Sequence, residues 1–195
     1  MSAARARTEK PPRLRIGVSS CLLGQKVRYN GGHKRDNWIA RTLARHFELV
    51  PICPEVAIGL GVPRAPIQLV RQGHKVRAVG VASASLDVTD ALAGYGRRMA
   101  RSLPDLCGYI FKSRSPSCGI AGVALQDEHG IAVGSHAGIY AAAFTRRQKQ
   151  LPVVDEEELD DPAHRRRFLV RVRACARRRR LPRRSQVSAN ADNFY

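Results

Sequence analysis

Short apolar runs alternate along this chain with segments of helical periodicity, and this alternation restricts the available folds more than any other feature. Strands are predicted at 14–20, 48–53 and 107–111, where apolar runs stop at residues that break a strand. Helices are predicted at 37–47 and 87–103, where apolar residues recur at three- and four-residue steps. Such alternation is typical of a parallel sheet covered on both faces. The sequence therefore predicts a single α/β domain, Rossmann-like, with a mainly parallel sheet flanked by helices.

The rest of the chain continues the same pattern. A hairpin is predicted to turn at Gln72-Gly73, followed later by a strand at 121–125, a glycine-rich turn, a helix from Gly138 and a short strand at 151–155. The sequence contains no internal repeat. These segments fit one α/β domain and require no second one.

A basic helix is predicted at the end of the fold. Phe168, Val172 and Cys175 form an apolar stripe among arginines after Pro162. The predicted organisation is a disordered arm at 1–12, an α/β domain at 13–162, a basic helix at 163–180 and a disordered tail at 181–195.

The positive charge is unevenly distributed. The formal net charge is +18, and residues from Ala163 onward hold eleven arginines against one acid, Asp192. A nucleic acid is therefore a candidate partner of the tail and is not implied for the domain. No apolar stretch approaches the roughly 20 residues of a membrane helix, and the N-terminal residues include no apolar export segment. We expect a cytoplasmic protein without a membrane partner.

Three of the five cysteines lie where predicted strands end. Cys21, Cys53 and Cys118 each follow an apolar strand and belong to a loop, although they are 32 and 65 residues apart. Because the carboxyl ends of parallel strands meet at one edge of a sheet, we expect these thiols to converge. Cys107 and Cys175 are expected to be inert, since one begins a buried strand and the other lies on the apolar side of a helix.

The spacing of the three thiols leaves the kind of site open. Three thiolates suit a soft metal, either zinc or an iron–sulfur cluster. Zinc needs a fourth ligand such as His33 or His136, whereas a cubane held by three cysteines leaves one iron open to substrate. On composition alone, the alternative that the three cysteines are unconnected core residues has as much support as a metal site.

Three blocks of sequence around these cysteines resemble a known family. They read "SSCLLGQKVRYNGGHKRD", "PICPEVAIGLGVPRAPIQLV" and "FKSRSPSCGIAGV", and they are similar to the signature blocks of the thiouracil desulfurase family. The resemblance extends from about Arg13 to the helix after Pro162. It is strongest with members in which this module is fused to a second domain, where an arginine-rich tail follows here.

The resemblance implies a cofactor, a reaction and residue roles. It implies that Cys21, Cys53 and Cys118 hold a 4Fe-4S cluster, and that Glu55 and Ser115 assist catalysis. The implied reaction removes sulfur from a thiolated nucleobase such as thiouracil by hydrolysis and releases sulfide. This chemistry is physically reasonable, because an open iron is a Lewis acid that favours sulfur, a carboxylate can activate water and a hydroxyl can stabilise developing charge.

Four further residues are predicted to contact substrate or balance charge. Lys112 and Ser113 precede Ser115 in the same loop, and Lys112 could also balance the negative charge of a cluster. Asn30 is followed by Gly31, whose backbone permits close approach of a ligand. Each site residue has a structural alternative. Glu55 would cap the turn after Pro54, the serines would satisfy backbone groups, and Asn30-Gly31 would be an ordinary turn.

Two other functions compete with the desulfurase interpretation. The arginine-rich tail favours a nucleic-acid-binding protein with a structural metal site, although aromatic residues for base stacking are scarce there. A metal-free enzyme would instead use Cys118 as its nucleophile.

Overall fold

A computed structural model describes residues 12–180 of the chain. The predicted arm and tail therefore lie outside the described residues, apart from Pro12. None of the helices within 12–180 combines the length and the apolar character that crossing a membrane requires. The strands are β1 Arg15–Ser19, β2 Glu48–Ile52, β3 Ile67–Gln72, β4 Lys75–Gly80, β5 Leu106–Phe111, β6 Val123–Gln126, β7 Ala132–His136 and β8 Val153–Asp155. The α-helices are α1 Pro54–Ala57, α2 Thr89–Ser102, α3 Ile139–Arg147 and α4 Pro162–Arg180.

A four-stranded parallel sheet forms the centre of the fold, in the order β2-β1-β5-β8. All six residues of β5 are buried, as expected of a strand with elements packed on both faces. Gly17 of β1 pairs with Val50 on one side and with Tyr109 on the other. The predicted α/β class with a parallel sheet flanked by helices is confirmed.

The other four strands form a second sheet in the order β4-β3-β6-β7, whereas the sequence predicted only one sheet. The predicted hairpin is present as the antiparallel pair β3 and β4, which turns at Gly73 and His74. β6 pairs in parallel with β3 and antiparallel with β7. β7 lies where the sequence predicts a turn. Its short sequence is almost entirely exposed and lacks the apolar pattern of a buried strand, so no strand was indicated there.

The segment predicted as a helix at 37–47 is not a regular α-helix. It forms a π-helical turn at Trp38–Thr42 and a 3₁₀ turn at Leu43–Arg45. Its apolar side is nevertheless as expected, since Ile39, Leu43 and Phe47 are all buried. The four-residue spacing fixes which side faces the core, whereas it does not fix the backbone hydrogen-bonding pattern.

The parallel sheet is covered by apolar side chains on each face. One core cluster joins it to α2, α3 and the second sheet, and the other joins it to the 38–45 segment and α4. Phe168, Val172 and Cys175 of α4 are buried, so the predicted apolar stripe packs against the sheet. The basic helix is therefore an integral part of the fold.

Gly108 of β5 tests how closely α4 packs on the sheet. A Cβ atom at this position would lie 2.8 Å from Val172 Cγ2 and 3.0 Å from Phe168 Cζ, both in buried side chains. We expect Gly108→Ala to lower the free energy of unfolding by roughly 1–3 kcal/mol through overpacking, measured by chemical denaturation. Gly94→Ala on α2 is the control and should stabilise slightly, because its Cβ would meet only arginine side-chain ends at 3.6 and 3.7 Å. Equal stability of the two variants would contradict this packing.

Candidate active site

Three cysteines line one cleft at the carboxyl edge of the parallel sheet. Cys21 lies in a 3₁₀ turn directly after β1, and Cys53 lies between β2 and α1. Cys118 lies in the loop after β5. Since β2, β1 and β5 are adjacent and parallel, their carboxyl ends meet at the same edge. All three residues line the same cavity of about 560 Å³, as the sequence predicted.

Burial weakens the acidity of these thiols. Cys21 is 9% exposed, and burial together with the neighbouring Cys53 raises its pKa to about 11. Burial also raises the pKa of Cys53, and burial with the nearby Glu55 raises the pKa of Cys118 well above its usual range. Without a bound cation these groups would therefore be protonated thiols near neutral pH, which are poor nucleophiles. Thiolates at this site need a positive charge such as a metal core supplies.

The donor set of the cleft fits a cluster with three protein ligands. Three thiols on separate segments suit the soft irons of a cubane. Neither His33 nor His136 is among the lining residues, and both are exposed. Across the described part of the chain, no three His, Cys, Asp or Glu side chains form a group that could hold a single metal ion. In a cubane, each cysteine binds a different iron, so its ligands need not converge on one point.

Glu55 is a fixed carboxylate in the same cleft. It lies in the first turn of α1. Arg64, in the loop after α1, donates from Nε to the Glu55 Oε2 at 2.8 Å. The hydroxyl of Ser117 donates to Oε1 at 2.7 Å. The side chains of Arg64 and Glu55 are 6% and 14% exposed, so this ion pair is nearly buried. Both carboxylate oxygens are therefore held in place beside the thiols.

The serine loop, residues 112–119, forms another wall of the cleft. The Ser115 hydroxyl oxygen accepts hydrogen bonds from the backbone N–H groups of Ser117 at 3.3 Å and Cys118 at 3.1 Å. The predicted structural role of this serine is thus present, and it leaves the hydroxyl proton free to be donated into the cleft. The loop lies against the start of α3, where a Cβ on Gly138 would come within 2.6 Å of the Ser117 backbone.

Lys112 and Ser113 form a polar cluster with a residue that the sequence did not single out, Glu156. The Lys112 ammonium pairs with the Glu156 carboxylate and lies 2.9 Å from Ser113 Oγ. Glu156 also accepts from the backbone N–H of Ser113 at 2.6 Å and from its hydroxyl at 2.9 Å. The charge of Lys112 is therefore already balanced within the protein, which limits its capacity to compensate an anionic cofactor.

Asn30 and Gly31 lie in a tight turn beside the cleft. The Arg28 and Gly31 N–H groups donate to the carbonyls of Gly32 and Arg28 at 3.1 and 2.9 Å, and Asn30 Oδ1 accepts from Gly32 N–H at 3.1 Å. Gly31 has a φ of +74°, which favours glycine. Neither residue is among those lining the cavity, whereas Arg28 and Tyr29 are. A contact between Asn30 or Gly31 and substrate stays a prediction.

Four residues that organise the cleft were not identified as site residues from the sequence. They are Ser19, Arg64, Ser117 and Glu156. The Ser19 hydroxyl accepts from Lys112 N–H at 2.9 Å, which ties the end of β1 to the start of the serine loop. Ser19 and Arg64 lie within or beside the blocks quoted above, which is the signal that could have found them, whereas Glu156 lies in an acidic run that resembles a surface linker.

The fold and the cleft define an α/β protein that holds three free thiols and a fixed carboxylate at the carboxyl edge of its parallel sheet. The sequence profile of the family described as 2-thiouracil desulfurase matches residues 16–157. The chain therefore belongs to the 2-thiouracil desulfurase family, and the predicted family is confirmed.

Two relatives extend this assignment. The uncharacterized protein YbbK of Bacillus subtilis (strain 168) is 32% identical over 152 residues, which cover 75% of this chain and 98% of YbbK. The solved structure of the 4Fe-4S-dependent thiouracil desulfidase TudS matches with a TM-score of 0.56 at 34% identity, covering 77% of this chain and 96% of TudS. Together with the family match, this likeness identifies the chain as an enzyme, as predicted.

Proposed function

We propose that the protein is a 4Fe-4S-dependent desulfidase that hydrolyses the thiocarbonyl of a thiolated nucleobase such as thiouracil and releases sulfide. The observation that carries the proposal is that three free thiols, two buried and one half-buried, line one cleft with the fixed Glu55 carboxylate. Membership of the 2-thiouracil desulfurase family and the likeness to TudS support it. We also propose that the enzyme acts in the cytoplasm, in keeping with five free cysteines.

The cofactor would be held by Cys21, Cys53 and Cys118. When bound, the cluster supplies an iron without a protein ligand, a Lewis acid that favours sulfur over oxygen and makes the thiocarbonyl carbon more electrophilic. The overall reaction replaces C=S by C=O, with oxygen and both protons coming from water and sulfur leaving as sulfide. No net oxidation or reduction occurs, so no electron donor is required.

The polar groups of the cleft would handle protons and orient the base. Glu55 would accept a proton from the attacking water, because its carboxylate is anchored rather than free to swing away. Ser115 would donate its free hydroxyl proton to charge that develops on the ring. The Lys112–Ser113 cluster offers further polar contacts, while Ile52 and Ile67 contribute apolar surface that limits water.

Two further residues complete the proposed substrate contacts. Asn30 and Gly31 would approach the base from the turn whose neighbours Arg28 and Tyr29 line the cleft. A small planar nucleobase and a cluster are compatible with a cavity of about 560 Å³. The proposed partner is therefore a small molecule.

The two competing functions have less support. Cys118 as a metal-free nucleophile is disfavoured, because burial and the nearby Glu55 raise the pKa of its thiol. Nucleic-acid binding through the arginine-rich tail would not require Glu55 and the three thiols to share one cleft.

The proposal predicts stoichiometric sulfide release by anaerobically purified protein. One sulfide and one uracil should form for each thiouracil consumed, and in ¹⁸O-labelled water the new carbonyl oxygen should carry the label. Sulfide assay and mass spectrometry of the product measure both. A chain that ends at Arg180 is the control for the tail, and it should retain the activity because every residue that lines the cleft precedes that position.

Three results would contradict this function. Sulfide release by iron-free protein would support the cysteine nucleophile instead. Salt-sensitive binding of RNA by the full chain without sulfide release from thiouracil would favour the nucleic-acid interpretation. Unlabelled product oxygen would exclude hydrolysis.

A further inference from the structure

One arginine joins three segments of the cleft wall. Arg64 binds the Glu55 carboxylate through Nε and Nη2, and Nη2 also donates to the carbonyl oxygen of Val27 at 2.8 Å. Its Nη1 donates to the Gly61 carbonyl at 2.9 Å, and its backbone N–H donates to the Tyr29 carbonyl at 2.8 Å. Because the side chain is only 6% exposed, water competes little for these contacts.

The Val27 carbonyl connects Arg64 to the surroundings of a cysteine and to the turn that follows. The Val27 carbonyl that accepts from Arg64 also lies 3.9 Å from the sulfur of Cys53. The residues that follow Val27 form the mouth turn, Arg28–Gly32, whose first two side chains line the cleft. One guanidinium thus connects the carboxylate, the mouth turn and the surroundings of a thiol.

We propose that Arg64 is a positioning residue, which fixes the orientation of the Glu55 carboxylate and fastens the mouth turn to the cleft. The catalytic half of this inference rests on the proposed function, since Glu55 is the group that would accept the proton of water. Arg64 itself is directed at protein acceptors and acts through them.

The geometry requires an arginine and not simply a positive charge. Three different nitrogens of the planar guanidinium reach Glu55, Val27 and Gly61 at the same time. A lysine ammonium is a single point of charge on a flexible chain and cannot make all of these contacts together. A residue that only neutralised Glu55 would be replaceable by lysine without loss.

Amide hydrogen exchange tests the fastening independently of activity. We expect peptides covering 26–33 to exchange about tenfold faster in Arg64→Met and Arg64→Lys than in the wild-type protein, because the guanidinium bond to the Val27 carbonyl is lost and only the backbone bond from residue 64 to the Tyr29 carbonyl remains. Arg77→Met is the matched control. Arg77 pairs with Asp87 away from the cleft, and its loss should leave exchange in 26–33 unchanged.

Kinetics of the cluster-loaded variants test the positioning of Glu55. We expect kcat to fall about tenfold in Arg64→Lys and about a hundredfold in Arg64→Met, with a smaller change in KM and with unchanged iron content. Because Arg64 acts through Glu55, the double variant Glu55→Gln/Arg64→Met should have the kcat of Glu55→Gln alone. If Arg64→Met does not fold, Arg64→Lys alone still carries both measurements.

Each contrary result overturns a defined part of the inference. Unchanged exchange in 26–33 would show that Arg64 does not fasten the mouth turn. Full activity of Arg64→Lys, or losses that multiply in the double variant, would show that it does not position Glu55. If the wild-type protein releases no sulfide, the proposed function fails, while the exchange experiment still decides whether the turn is fastened.

Discussion

Serine in place of Cys21, Cys53 or Cys118 is expected to abolish the cluster. Each variant should lose the 4Fe-4S absorption and fall from about four iron atoms per chain to fewer than one, and sulfide release should become undetectable. The reason is that the three thiols line one cleft from three separate strand ends, so none can be replaced by a neighbour. Iron analysis and absorption spectra of anaerobically purified protein measure this effect.

The remaining cysteines provide the matched controls. Cys107 and Cys175 are also buried free thiols, but neither lines this cleft. Cys107→Ser and Cys175→Ser should keep full iron content, even where a buried hydroxyl costs some stability. Retention of iron in any of the three site variants, or its loss in both controls, would refute the assignment of the ligands.

Glu55→Gln is expected to lower kcat by about a hundredfold or more while iron content stays at the wild-type level. Glutamine has the same shape and can still accept the hydrogen bond from Ser117, but it cannot take a proton from water. Steady-state kinetics with thiouracil, together with iron analysis of the same samples, measure both quantities.

Glu157→Gln is the control for this prediction. Glu157 lines the same cleft but pairs with Arg114 at an exposed position, where the two side chains are 47% and 74% exposed. Its loss should leave kcat within about twofold of the wild type. An equal fall in both variants would mean that general charge in the cleft, and not the fixed carboxylate, governs the rate.

Loss of the Glu55 charge also has a cost in stability. It leaves the guanidinium of Arg64 nearly buried without an anionic partner, which typically costs roughly 3 kcal/mol. The activity of Glu55→Gln must therefore be measured well below its unfolding temperature, so that a slow enzyme is not confused with an unfolded one.

The strands of the parallel sheet and the convergence of the cysteines could be predicted because they depend on local pattern. The apolar runs of β1, β2 and β5 are visible in the sequence, and parallel topology then brings their carboxyl ends together. The second sheet was harder to separate, since β7 is short and exposed. The backbone form of the 38–45 segment depends on packing that periodicity does not describe.

The ion pairs of the cleft could not be predicted in the same way. Glu55 pairs with Arg64 across a loop, and Lys112 pairs with Glu156, which is 44 residues away. Which of many charged residues become partners depends on the tertiary structure that buries them. The structural role of Ser115 is compatible with its proposed catalytic one, because its oxygen serves the loop while its proton is left for the cleft.

The separation of the three thiols along the chain has a consequence for biogenesis. During translation, the last of them emerges 97 residues after the first. No short peptide of this chain brings two of these sulfurs together, unlike the closely spaced pairs of many metal-binding loops. In the proposed enzyme, a cluster held by all three thiols would therefore form only after β1, β2 and β5 have come together.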